Sequence, residues 1–251
     1  MKIELLRNCE HGSEIMTYLA TDEFGGKKII KTSTTPSGIK NLRNEVEGWR
    51  WYKSLRHHSN ESICRIVQQR DSYLQIQIDY INGNKPDYQN GLVRNANAIR
   101  SIVEHYCDIW PFSSGSSPMH GDLSLDNIII NSDGVHIIDW EHYMLDAVPW
   151  GFDIIYLLLE SLYFGMRHRN KPNPTGTEIQ IICDHIKTIN EHHQLHPDML
   201  KTPLRFIKGF VLTNHHLWGE QLTSFQMKLP IIAFSSDQIT MIDDMISSQM
   251  A

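Results

Sequence analysis

The chain is short of cysteine, of excess basic charge and of long apolar runs, and each shortage excludes a class of protein. Its four cysteines, Cys9, Cys64, Cys107 and Cys183, lie far apart and form no C-x-x-C pair. So few cysteines in a chain of this length do not make a disulfide-rich scaffold, and the thiols read as reduced and mostly buried, as in a cytoplasmic protein. Acidic residues outnumber basic ones, 29 against 23, for a formal net charge of −6. No basic stripe is available to follow a phosphate backbone, so no nucleic-acid partner is expected. No apolar run approaches the ~20 residues that span a bilayer. The longest, from Phe152 to Leu159, reads as a buried helix, and no membrane insertion is expected. Met1 to Leu5 carries an acid inside a short apolar stretch, unlike a signal peptide. Histidine is plentiful, with 14 copies and the adjacent pairs His57–His58, His192–His193 and His215–His216. None has the H-E-x-x-H spacing of a zinc site, and neighbours on a helix project about 100° apart, so these read as solvated or packing residues.

What is present is an ordinary globular balance, 41% hydrophobic and 21% charged over 251 residues, enough for one large domain or one two-lobed unit. The chain opens as an antiparallel meander. Strands are expected at 2–7, 15–21 and 28–32, with Asp22 to Gly26 as a hairpin turn. A helix is expected at 38–56, because Ile39, Leu42, Val46 and Trp49 recur at the spacing of one face. Two more strands follow at 63–69 and 73–81, the second alternating Leu74, Ile76 and Ile78 with polar neighbours until Asn82–Gly83 breaks it. Beyond that point the pattern turns helical, at about 93–109, 150–164, 178–191, 197–222 and 237–248. The expected boundary divides an N-terminal lobe, 1–82, from a C-terminal lobe, 83–251. No internal repeat is evident.

The chemistry lies in His120–Gly121–Asp122 to Asp126–Asn127, followed by Ile137–Ile138–Asp139–Trp140–Glu141. Phosphoryl transfer needs little covalent help from a protein. It needs positioned groups, charge neutralisation, one carboxylate to accept a hydroxyl proton, and hard oxygen donors for a divalent metal. Asp122 suits the base, and Asn127 and Asp139 suit the metal. Short apolar strands at 128–130 and 135–138 flank the turn Asn131 to Gly134, so the hairpin returns Asp139 to the end that carries Asn127. A lone loop aspartate usually caps a turn; three such groups in this order are harder to explain that way.

These two blocks resemble the catalytic and metal loops of the aminoglycoside phosphotransferase / choline kinase family of the protein-kinase-like superfamily, which read H-G-D-x-x-x-x-N and I-D-W/F-E. The resemblance implies an α+β fold of two lobes: a small antiparallel-sheet lobe with one helix, and a mostly helical lobe. It also implies that Lys31, at a strand end, contacts nucleotide phosphates and is held by Glu45. Lys28 competes for the first role. The pattern E-x-x-x-x-x-W selects Glu45 with Trp51, while Glu47 turns to water. Main-chain groups of Asp79 and Ile81 would meet the base at a hinge. His120, Glu141 and Asp153 would brace the loops, with a second metal as the alternative for Glu141. One departure concerns the phosphate-covering loop, residues 8–14, which has only Gly12 and no G-x-G-x-x-G. Backbone N–H groups of Gly12 and Ser13 are the candidates there, and Glu10 and Glu14 would repel phosphate if they turned inward.

The expected activity is therefore transfer of phosphate from ATP, with Mg²⁺, to a hydroxyl of a small polar metabolite: an amino sugar, a sugar, a choline-like compound or a glycan precursor. Acceptor-wall candidates are His185, Glu191, Asp198, His215, Trp218 and Glu220. The alternatives are a non-catalytic nucleotide-binding pseudokinase and a protein kinase. The short stretch between Asp139 and Asp153 leaves the latter little room for an activation loop.

Overall fold

A computed structural model of the chain describes residues 1–7, 14–56, 63–112, 116–218 and 229–250. These divide into two compact units. The first comprises Met1–Asn82 with Ile138–Met144, the second Gly83–Ile137 with Leu145–Ala251.

The first unit is a five-stranded antiparallel sheet. Its strands are β1 (Lys2–Arg7), β2 (Met16–Thr21), β3 (Lys27–Ser33), β4 (Cys64–Arg70) and β5 (Tyr73–Asp79), in the order β1-β2-β3-β5-β4. The register pairs Lys31 with Thr17 on one side and with Ile76 on the other. Helix α1 (Pro36–Leu55) packs on β3, β4 and β5. Its start is well marked: Pro36 fixes a helical φ in the first turn, and the Thr35 side chain accepts from Gly38 N. Of the face read from the 3–4 spacing, Leu42, Val46 and Trp49 are buried and Ile39 is partly so, with Tyr52 extending it, and the alternation in β5 buries Leu74, Ile76 and Ile78. Residues Ile138–Met144 belong to this unit by packing. Trp51 of α1 lies with its ring centroid 5.6 Å from those of both Trp140 and Tyr143, and Tyr52 lies 5.1 Å from Trp140.

The second unit is mostly helical. It carries α2 (Gly91–Arg94), α3 (Ala96–Ile109), α4 (Phe152–His168), α5 (Gly176–His192), α6 (Pro197–Lys201), α7 (Pro203–Thr213) and α8 (Ser236–Met250). Two small sheets join them: β6 (Ser117–Met119) with β9 (Met144–Val148), and the hairpin of β7 (Ile128–Asn131) and β8 (Gly134–Ile137). α4 is the central element, buried almost all round from Phe152 to Leu162, as an apolar run without a polar face requires. α5 opens on a capping box of Thr175 and Glu178, and Glu178 also pairs with Arg169 at 2.5 Å.

Two expected helices are broken. The one at 93–109 splits at Asn95, whose side-chain amide donates to the carbonyls of Asp87 and Gly91 and competes with the helix's own bonds. The one at 197–222 splits at Thr202, because Pro203 lacks an N–H and disfavours helical geometry in the residue before it; Thr202 has φ −139° and ψ 59°. Strands β6 and β9 were not expected. Cys64, Cys107 and Cys183 are buried and not in disulfides, and Cys9 lies outside the described residues. No helix among the described residues is long and apolar enough to cross a membrane.

Candidate active site

The first unit brings Lys31, Glu45, Asp139 and Glu141 together. Lys31 sits near the end of β3 and is 7% exposed, while Glu45, on the inner face of α1, is fully buried. Lys31 Nζ lies 2.8 Å from Glu45 Oε2 and 2.5 Å from Asp139 Oδ1. One ammonium thus bridges a helix carboxylate and the carboxylate of the I-D-W-E block. Burial alone would strip the proton from Lys31, but Asp139, Glu45 and Glu141 push its pKa above the ordinary lysine value, so it stays charged. Burial pushes the Glu45 carboxyl up to about 7, opposed by Lys31. Asp139 adopts a left-handed backbone, φ 66°, which aspartate tolerates better than most residues.

Glu141 is braced by Arg7 at 3.7 Å, and its main-chain carbonyl accepts from the Asn44 side chain. Burial and the neighbouring Asp139 push its carboxyl up to about 7. His142, close to Glu141, is pulled down to about 4, first by burial and then by Arg7 and Lys31, so it is neutral at physiological pH. Glu47 faces water. The glutamate's aromatic partner differs from the expected one. Trp49 Nε1 donates to Glu45 Oε1 at 3.0 Å, whereas the Trp51 ring faces Trp140 and Tyr143. Helix geometry gives the reason: four residues on from Glu45 is the same face, and six residues on is about 240° round.

Glu14 turns away from the role of a phosphate repellent. Its carboxylate accepts from the Thr35 and Ser37 hydroxyls and, at 2.9 Å, from Gly38 N, at the start of α1. Glu10, Gly12 and Ser13 lie outside the described residues. Asp79 N donates to the Ile63 carbonyl at 2.8 Å, so that N–H is engaged in the sheet; Ile81 follows directly after β5.

The second unit assembles His120, Asp122, Asn127 and Asp153. Asp153, buried in the first turn of α4, accepts from His120 N at 2.8 Å and Gly121 N at 3.1 Å. Between them Gly121 has φ 85°, a conformation that a side chain would strain. Asp122 N donates to His120 Nδ1 at 3.3 Å. The Asn127 amide nitrogen donates to the Asp122 carbonyl at 2.8 Å and to its Oδ2 at 3.1 Å. The Asp122 carboxylate is therefore held by Asn127, and the loop backbone by Asp153. The amide oxygen of Asn127, in the second unit, and the carboxylate of Asp139, in the first, are each hard donors of the type a Mg²⁺ ion takes.

Glu160 of α4 was missed in the sequence. It is 7% exposed, and Asp122 and Asp126 are the charges it feels. Burial, then these two aspartates, push its carboxyl well above the usual range. Nearby, the buried Tyr156 hydroxyl has no hydrogen-bond partner among the described residues, and it feels Glu160 and Asp122. The signal was a single acid at the end of the apolar run Phe152 to Leu159. Of the expected acceptor-wall residues, His185 is partly buried, Glu191, Asp198 and His215 are exposed, and Glu220 lies outside the described residues.

The sequence pattern of the Phosphotransferase enzyme family (APH) matches residues 69–176, a stretch that contains both motif blocks. No curated protein sequence matches the chain. Among solved structures, the aminoglycoside phosphotransferase from Alicyclobacillus acidocaldarius superposes with a TM-score of 0.55 at 11% identity, covering 98% of this chain and 92% of that one. Amicoumacin kinase hAmiN, solved with AMP-PNP, Ca²⁺ and Ami, superposes with a TM-score of 0.51 at 13% identity, covering 99% and 88%. The antiparallel-sheet lobe and helical region are thus the protein-kinase-like fold. Residues 69–176 of this chain are thus similar to the phosphotransferase enzyme family, and the likeness to the solved structures lies in the fold.

Proposed function

We propose that this chain transfers the γ-phosphate of ATP to a hydroxyl of a small, positively charged metabolite, an amino sugar or a choline-like compound. The observation that carries the reading is the shared ammonium of Lys31, held at 2.8 Å by Glu45 and at 2.5 Å by Asp139. A buried lysine that keeps its charge between two carboxylates is a group prepared for phosphate oxygens.

In this reading Lys31 binds the phosphates and Glu45 fixes its position. Asp139 and Asn127 would hold Mg²⁺, which supplies charge neutralisation at the transferred group when bound. Asp122 accepts the proton of the attacking hydroxyl, and Asn127 keeps its carboxylate aimed. Asp153, through the N–H groups of His120 and Gly121, keeps the loop in shape. The main chain at Asp79 and Ile81 would receive the adenine.

The charge of the acceptor is argued from Glu160. A covered carboxylate with no cation partner among the described residues, beside Asp122 and Asp126, is unfavourable as an anion unless a cation arrives. An ammonium on the acceptor meets that need, and Tyr156 could serve the same group as an acceptor. β9 occupies the middle of the stretch between Asp139 and Asp153, which favours a small acceptor over a peptide.

Coupled ADP release over a panel of amino sugars, neutral sugars and quaternary amines tests the reading. Wild type should turn over cationic acceptors, and Asp122→Asn should lower kcat by roughly 10²–10⁴-fold with MgATP affinity kept. Glu160→Gln should raise KM for cationic acceptors only. Full activity in Asp122→Asn removes the base. Equal use of neutral and cationic acceptors removes the charge argument.

A further inference from the structure

The Glu45 carboxylate has two oxygens and two partners. Oε2 faces Lys31 Nζ at 2.8 Å, and Oε1 accepts from Trp49 Nε1 at 3.0 Å. Both partners are buried, Lys31 7% and Trp49 2% exposed, and Glu45 itself is fully covered. An indole N–H has one hydrogen to give, and here it goes to the side of the carboxylate that the lysine does not use. Trp49 is one turn further along α1 than Glu45, so the two side chains share a face without distortion.

We propose that Trp49 is a positioning residue of the phosphotransfer site: its indole N–H locks Glu45 in the rotamer that presents Oε2 to Lys31. The inference rests on the phosphotransferase reading only in giving Lys31 a nucleotide to serve. A glutamate has three side-chain torsions, and a contact to one oxygen alone leaves the carboxylate free to swing. With both oxygens engaged, the Lys31 ammonium has one fixed anchor and can exchange its other contact, Asp139, for a phosphate. Among the described residues, the titratable groups that face Glu45 are Lys31 from β3, Cys64 from β4, and Asp139 and Glu141 from residues 138–144. Of these only Lys31 is a cation, so the neutral indole is the second support for the ionised carboxylate.

The test removes the N–H while keeping the packing. Benzothienylalanine at position 49 replaces the indole nitrogen with sulfur in a ring of nearly the same shape, and Trp49→Phe is the coarser variant. The first readout is the ¹³C titration of the Glu45 carboxyl, assigned with Glu45→Gln. Its midpoint should rise by about half a pH unit or more in the benzothienyl variant. The second is calorimetry with MgATP, where affinity should fall about five-fold while KM for the acceptor stays constant. An unchanged carboxyl midpoint overturns the locking, whatever the activity. A shifted midpoint with unchanged MgATP affinity overturns the positioning role. Wild-type protein that fails to bind MgATP overturns the phosphotransferase reading, and the carboxyl titration still decides the Trp49–Glu45 bond by itself.

Discussion

Gly48 of α1 lies directly on Trp140: a Cβ at position 48 would be 2.6 Å from Trp140 Cβ and 2.9 Å from Tyr143 Cβ. Real Cβ atoms do not approach that closely, so the missing side chain at position 48 sets how near α1 comes to Trp140 and Tyr143. Gly48→Ala should destabilise the protein by about 1–3 kcal/mol, despite alanine's better helix propensity. It should also weaken nucleotide binding by displacing Asp139 from Lys31. Urea titration and calorimetry on the same preparation check both effects. A stabilised Gly48→Ala protein would contradict this close approach.

Removing Lys31 alone should be costly, because Glu45 has no exposure to water. Lys31→Met leaves a buried carboxylate without its cation, and such breaks cost about 3–5 kcal/mol. The double variant Lys31→Met, Glu45→Gln should regain much of that stability while still failing to bind nucleotide. Chemical denaturation of the four proteins of the cycle measures the coupling.

Asp139 has two demands on it, a carboxylate for Lys31 and a left-handed backbone at φ 66°. Asn tolerates that backbone and Ala does not. Asp139→Asn should therefore remain more stable than Asp139→Ala by about 1 kcal/mol, while both lose MgATP binding. Thermal melts separate the two variants, and calorimetry should not.

Asp153 gives a pH prediction. Burial pushes its carboxyl up to about 7, against the pull of two backbone N–H bonds. The unfolded carboxyl titrates near ~4. Between those values the folded state holds a proton that the unfolded state has lost, so the Asp153 contribution is greatest below ~4 and declines as pH rises to about 7. Asp153→Asn should flatten that slope by up to one proton, about 1.4 kcal/mol per pH unit. It should also lower stability at every pH, because an amide cannot accept from both His120 N and Gly121 N. Urea midpoints measured from pH 4.5 to 8 for both proteins decide this.

Much of the fold was legible because the first unit follows simple periodicities. β5 alternates, α1 keeps a 3–4 stripe, and Asp22 to Gly26 has turn chemistry, so each element fell within a few residues of its place. The breaks at Asn95 and Thr202 were less visible, since apolar spacing continues through both and the interruption comes from one side-chain amide and one proline ring. β6 and β9 are too short to show a period. At the site, Asp122 and Asn127 were readable because they share one loop. The Lys31–Glu45 pair was implied only by the family resemblance, and the Lys31–Asp139 contact, between residues 108 positions apart, was not expected. Trp49 and Glu160 were hidden in apolar stripes, where tryptophan looks like packing and a single acid looks like an interruption.

The first unit borrows residues 138–144 from far along the chain, and this governs how the protein can be cut. A recombinant piece ending at Asn82 would lack Trp140 and Tyr143, leaving the rings of Trp51 and Tyr52 bare and Lys31 without one of its two anions. Such a piece should be sticky and poorly soluble, and a synthetic peptide carrying the missing stretch is the additive that should rescue it.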